Sequence, residues 1–271
     1  MKTRLISAAI LLPVLIIVLL ALPEVVTAVM VGLMAAIGAY ELLHNTGLVQ
    51  HKRVNLYCML FAFLVSIWCH ADMPQAWGVL GILVLLGALF GEMMIDHVKL
   101  SFEMLAYCLF AALLVPYLLS SVVRILNMEN GRLIVVVPFL LAFLPDSGAY
   151  FAGRYFGKHK LAPVISPKKT VEGAIGAGIV AVLGMLLYAF IMDVAFTVEV
   201  SYTAALIYGV LGAAADVFGD LMFSSIKRQT GIKDYGNLVP GHGGVLDRFD
   251  SIMAVAPLME ALLLIMPIII L

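Results

Sequence analysis

The chain has 271 residues, of which 63% are hydrophobic and only 12% charged, and its mean hydropathy is +1.10. Soluble domains are ordinarily about a quarter charged, so a water-soluble globular fold is excluded and lipid is the main solvent. A net charge of −1 excludes a bulk basic field for nucleic acid, and three scattered cysteines exclude a disulfide framework or a paired-cysteine zinc site.

A membrane helix needs about 20 mostly apolar residues, and nine segments qualify: roughly 5–22, 25–43, 55–71, 76–94, 103–125, 132–152, 171–192, 202–223 and 251–270. The expected fold is therefore an all-α polytopic membrane protein of about nine transmembrane helices. The first run follows Met1-Lys2-Thr3-Arg4 but continues to Leu20 without a polar break or a small-x-small cleavage site, so it reads as a retained membrane helix. Only Leu22-Pro23-Glu24 separates it from the second, which makes a tight hairpin. Glu41 and His44 close the second helix at the interface, and Glu92, Asp96 and His97 leave the fourth. None of these five is expected to do more than meet water. Cys58, Cys69 and Cys108 read as small apolar core residues. Pro138 and Pro145 interrupt the sixth helix.

Orientation follows from the cationic connections. With the N-terminus cytoplasmic and nine helices alternating, all Lys and Arg fall on the cytoplasmic side except Arg124 and Arg132. Polar residues are unevenly shared along the chain. Residues 1–130 read as an anchoring and packing half, a place for dimer contacts. Residues 131–271 carry two long cytoplasmic connections, 153–170 and 224–250, and read as the catalytic half.

Asp146 closes the sixth helix, and the following connection supplies Arg154, Lys158, Lys160, Lys168 and Lys169. That stretch suits either anionic headgroups or a share in a phosphate site. Thr170 or Ser166 is placed to cap the next helix, with Glu172 in its first turn. Gly173, Gly176 and Gly178 follow no strand, so they fit close helix packing better than a dinucleotide site.

The strongest constellation comes next. Asp216 and Asp220 are four apart on one face of the eighth helix, one to two turns inside its cytoplasmic end. Two like charges there are costly unless a cation sits between them. The connection Ser224–Asp250 holds Lys227, Arg228, Lys233, His242 and Arg248 with Gly236, Gly241, Gly243 and Gly244. Asp247 and Asp250 then open the ninth helix on one face. Clustered carboxylates suit a hard cation such as Mg²⁺. Lys and Arg neutralise phosphate oxygens, and glycines let backbone N–H groups approach an anion. Glu260, midway along the ninth helix, is left open between a cavity and a helix contact. A transporter using Asp146, Asp216, Asp220 and Glu260 is the main rival, but these acids, Glu260 apart, gather at one face and no paired halves are evident.

The segment Ser225-x-Lys227-Arg228 … Lys233-Asp234-x-Gly236 … Pro240-Gly241-His242-Gly243-Gly244-x-x-Asp247-Arg248-x-Asp250 resembles the signature of the phosphatidate cytidylyltransferase (CDP-diacylglycerol synthase) family. The run Gly153–Lys158, with Ser166-Pro167-Lys168-Lys169-Thr170-Val171-Glu172-Gly173, is similar to that family too. The resemblance implies that CTP and phosphatidate give CDP-diacylglycerol and pyrophosphate in phospholipid biosynthesis. It also implies Mg²⁺, with a second cation as an open alternative, and a homodimer in the inner membrane whose active site faces the cytoplasm. Carried over by residue, the metal-binding acids match Asp220, Asp247 and Asp250, and Lys227 matches a phosphate-binding position. The expected site thus has Asp220, Lys227, Asp247 and Asp250 as catalytic groups, with Asp216 beside the metal. Ser224, Arg228, Lys233, His242, Gly243, Gly244, Arg248, Asp146, Lys168 and Lys169 are expected to bind substrate.

Overall fold

The structure, a computed structural model, describes residues 13–71, 73–96, 99–238 and 243–270. Seven helices among these are long and apolar enough to cross a membrane. They are α1 (Glu24–Asn45), α2 (Lys52–His70), α3 (Gln75–Ile95), α4 (Phe102–Leu126), α5 (Gly131–Phe156), α6 (Val171–Phe196) and α7 (Tyr202–Gln229). The chain is a helical integral membrane protein. Of the first expected helix, residues 13–20 are helical, Ala21 and Leu22 form a turn, and residues 5–12 lie outside the described residues. A single turn, α8 (Leu246–Phe249), precedes the expected ninth span, which contains α9 (Ile252–Ile265). At 14 residues α9 is about 21 Å long, short of a hydrocarbon core of about 30 Å. Beyond it the backbone is extended: Val200 and Ile269 form a bridge, and Ser201 N donates to Ile268 O at 2.9 Å.

The expectation of a purely helical chain needs one correction. The 153–170 connection folds into an antiparallel hairpin, β1 (Lys160–Ala162) and β2 (Ser166–Thr170), with Lys160 opposite Thr170 and Ala162 opposite Ser166. Such short, Lys- and Pro-containing strands carry no apolar alternation to announce them.

The chain forms two compact units. One comprises Met1–Leu133 with Lys227–Phe249. In it, α1 presents a stripe of small residues, Ala28, Ala35 and Ala39, all fully buried. Gly32 lets α2 come close, since a Cβ there would stand 2.9 Å from the Phe63 ring. Ser66 and Ser120, both buried, share a hydrogen bond of 2.8 Å. Cys58 and Cys108 are fully buried free thiols, as expected of small core residues. The last turn of α1, Glu41–Asn45, is π-helical, a distortion found often at functional sites.

The other unit comprises Ile134–Ile226 with Asp250–Leu271. Its frame is the crossing of α5 and α6. A Cβ on Gly148 would stand 2.6 Å from Gly176 O, and one on Gly173 would stand 3.0 Å from Ala149 O. Gly178 has open space around it, so the packing expected of three glycines rests on Gly173 and Gly176. The prolines do not break α5. Pro138 sits in the first turn of its regular part, Val136–Phe156, where no N–H is required, and only Pro145 is interior. Thr170 supplies the cap of α6, its Oγ1 accepting from Gly173 N at 3.1 Å, while Ser166 belongs to β2.

Candidate active site

The eighth expected helix runs further than its apolar pattern. α7 continues to Gln229, so Lys227 and Arg228 lie in its last turn, a favourable place for cations. Asp220 and Asp216 are therefore about two and a half and three and a half turns before its end, not one to two.

In the unit holding residues 227–249, a buried acid–base pair organises the glycine loop. Lys227 Nζ donates to Asp247 Oδ1 at 2.9 Å, and the two side chains are 10% and 3% exposed. Asp247 Oδ2 accepts from Tyr235 N at 2.7 Å and from Gly244 N at 3.0 Å. The Lys227 ammonium also lies 5.4 Å from the centroid of the buried Tyr235 ring. Gly243 has φ +87° and stands so close to Asp247 that a Cβ would meet its carboxylate. Asp247, expected at the metal, thus has one oxygen engaged by Lys227 of α7 and the other by the loop. Arg228, Lys233 and Arg248 are exposed to solvent. His242 lies outside the described residues.

One residue here escaped sequence reasoning. Glu41, assigned no role above, is only 3% exposed. Its Oε1 accepts from Val245 N at 3.0 Å and its Oε2 from Leu246 N at 2.9 Å. Asn45, one turn on, donates from Nδ2 to Tyr235 O at 2.7 Å. The partners lie two hundred residues downstream, so the only local signal is an acid followed by an amide at an apolar helix end.

In the other unit, Asp146, Lys168, Lys169, Thr170, Gly173 and Asp216 line one cavity of about 200 Å³ between α5, β2, α6 and α7. Asp216 is 2% exposed, and its Oδ1 is buried with no hydrogen-bond partner. Lys169 Nζ pairs with Asp220 Oδ2 at 2.5 Å, and both side chains keep some contact with water. Glu172 fastens the start of the hairpin by accepting from Lys158 N, His159 N and His159 Nδ1. Gly219 brings α9 close to α7, since a Cβ there would stand 2.8 Å from Asp250 O. Asp250 Oδ1 accepts from Ser251 N at 2.9 Å, and Ser251 Oγ donates to Asp216 O at 3.3 Å. Ser224 is buried along α7. Among the described residues, no three Asp, Glu, His or Cys side chains converge closely enough to form a metal site by themselves. Two carboxylates on one cavity, one with an unpartnered buried oxygen, nevertheless suit Mg²⁺. That ion commonly takes one or two protein carboxylates and completes its shell with water and substrate phosphates.

A sequence profile described as "Cytidylyltransferase family" matches residues 2–266. Curated proteins named phosphatidate cytidylyltransferase are similar over part of the chain. One from Staphylococcus haemolyticus and one from Staphylococcus aureus are each 43% identical over 136 residues, which is 50% of this chain and 51% of theirs. One from Staphylococcus epidermidis is 41% identical over the same length. The chain spans about half the length of the curated relatives it matches.

Proposed function

The chain belongs to the cytidylyltransferase family, and from that premise we propose that it transfers CMP from CTP to phosphatidate, releasing pyrophosphate and leaving CDP-diacylglycerol in the membrane. The observation that carries the proposal is the cavity where Asp146 and the unpartnered Asp216 oxygen meet Lys168 and Lys169. Carboxylates and lysines on one small cavity beside a helix start are what a metal-bound polyphosphate needs. The names of the staphylococcal relatives support the substrate pair.

A phosphomonoester carries about −1.5 to −2 charge near neutral pH, so the phosphatidate oxygen is a ready nucleophile and no general base is required. It attacks the α-phosphorus of CTP. The new P–O bond forms as the bond to the bridging oxygen breaks, and pyrophosphate departs with that electron pair. Asp146 and Asp216 would hold Mg²⁺ at this cavity, and the resemblance separately indicates Asp220, Asp247 and Asp250 as metal-binding acids. When bound, the ion supplies Lewis-acid charge compensation and orients phosphate oxygens. Lys168 and Lys169 neutralise polyphosphate at the cavity. Lys227, Arg228, Lys233 and Arg248 offset the charge that builds on the leaving group. The Lys227–Asp247 pair fixes the glycine loop, whose Tyr235 and Gly244 N–H groups donate to Asp247.

The excess of Lys and Arg in alternate connections supports an N-terminus and reacting groups on the cytoplasmic side of the inner membrane. Nine spans, counting residues 5–22 and the short final helix, and a homodimer belong to the same proposal. The test is incubation of the purified protein with labelled CTP, phosphatidate and Mg²⁺, followed by extraction of the lipid phase. Label should enter the lipid and should be lost with a chelator and in Asp220→Asn. No transfer by the wild type sinks the proposal, and undiminished transfer with chelator sinks its metal.

A further inference from the structure

Glu41 sits at the end of the first fully described span, far from the glycine loop in sequence, yet its carboxylate is spent on that loop. Both of its oxygens accept main-chain N–H groups, from Val245 at 3.0 Å and Leu246 at 2.9 Å. These donors stand at the start of the single turn α8, which carries Asp247. The fit is tight on both sides. A Cβ on Gly236 or on Gly244 would run into the Glu41 carboxylate, so two glycines of the loop are shaped around this one side chain. The π-helical turn Glu41–Asn45 lets the same helix end present a second group, Asn45, whose Nδ2 holds Tyr235 O at 2.7 Å. Tyr235 N in turn donates to Asp247, and Asp247 holds Lys227. A continuous chain of contacts therefore runs from Glu41 and Asn45 to the Lys227 ammonium, all within one compact unit.

A buried carboxylate in a membrane helix is costly, and packing alone does not call for one here, since glutamine or leucine would fill the volume. Its use is directional. An ionised acceptor binds two N–H groups more strongly than a neutral one and fixes the loop backbone at a single height. We propose that Glu41 is a positioning residue for cytidylyl transfer. It clamps the glycine loop so that Asp247 holds Lys227 where the nucleotide phosphates bind. This inference rests on the CMP-transfer assignment above and adds to it a residue outside the signature segment.

The experiment uses the full chain in lipid nanodiscs, comparing wild type, Glu41→Gln and Asn45→Ala. Amide hydrogen exchange over residues 230–249 reads the loop directly. Steady-state kinetics read KM for CTP, KM for phosphatidate, and kcat. In Glu41→Gln, exchange should rise at Gly244–Asp247 while α2 and α4 keep their protection. kcat/KM for CTP should fall about 10- to 100-fold, the usual loss when a supporting shell is removed, with KM for phosphatidate held within about twofold. Asn45→Ala should show the same pattern more mildly, and it decides the matter if Glu41→Gln does not accumulate. An unmoved loop, or parallel losses for both substrates that track a fall in Tm, overturns the inference. No CMP transfer by the wild type, with the loop freed in Glu41→Gln, removes the transfer assignment and reduces Glu41 to a structural clasp. Robust transfer with an unmoved loop removes the inference alone.

Discussion

Replacing Asp247 by Asn keeps the side-chain shape but strands a cation. The amide oxygen can still accept from Tyr235 N and Gly244 N, which leaves the NH₂ group facing the Lys227 ammonium, donor against donor. Because both members of the pair are almost wholly buried, solvent cannot compensate. Breaking one side of such a pair costs about 3–5 kcal/mol. At roughly 2–4 °C per kcal/mol for a chain of this size, the apparent Tm should fall by about 6–20 °C. The informative measurement is the cycle of Asp247→Asn, Lys227→Met and the double variant, each followed by thermal unfolding in one detergent and by CMP transfer. The double variant has no stranded charge, so it should regain most of the stability lost in Asp247→Asn while staying inactive. Additive losses in Tm, or an Asp247→Asn protein that melts with the wild type, would refute the claim that the pair organises this loop.

Asp216 should behave in the opposite way. Its Oδ1 is buried without a partner, so Asp216→Asn should leave Tm unchanged or raised, yet the Mg²⁺ concentration for half-maximal transfer should rise about tenfold or more, read from a metal titration. At the α5–α6 crossing, Gly176→Ala should destabilise by about 1–3 kcal/mol because the new methyl meets Ala152 and Gly148 O. Gly178→Ala, in open space on the same helix, should be neutral or stabilising by up to about 1 kcal/mol. Thr170→Val removes the α6 cap and should cost about 1 kcal/mol in Tm measurements. It should also raise KM for CTP, since Lys168 and Lys169 immediately precede the cap.

Local features were legible in the sequence. Long apolar runs gave α1 to α7 because a membrane span is a one-dimensional signal. Thr170 or Ser166, with Glu172, marked the start of α6 because a cap is written in nearby residues, and the structure selects Thr170. The i, i+4 spacing put Asp216 and Asp220 on one helix, but it could not show that Asp216 faces a cavity while Asp220 meets Lys169. Helix ends were less legible: Ser224–Gln229 is polar, yet its residues extend α7 readily, and polarity alone was mistaken for a loop. Gly178 looked like its neighbours Gly173 and Gly176, and only the crossing geometry separates them. Glu41 was illegible for a different reason, since its function lies entirely in partners remote along the chain.

That remoteness also sets a clock on biosynthesis. Glu41 leaves the ribosome 204 residues before Val245, its first partner. At about 5–20 residues per second, the carboxylate waits roughly 10–40 s for the N–H groups that will bury it. Throughout that interval it meets water or carries a proton, since the main-chain donors that bury it do not yet exist. Closure of the glycine loop is consequently among the last events in maturation of the newly made chain. A nascent protein arrested before residue 245 carries the Glu41 carboxylate without Val245 and Leu246, the donors that meet it in the finished molecule.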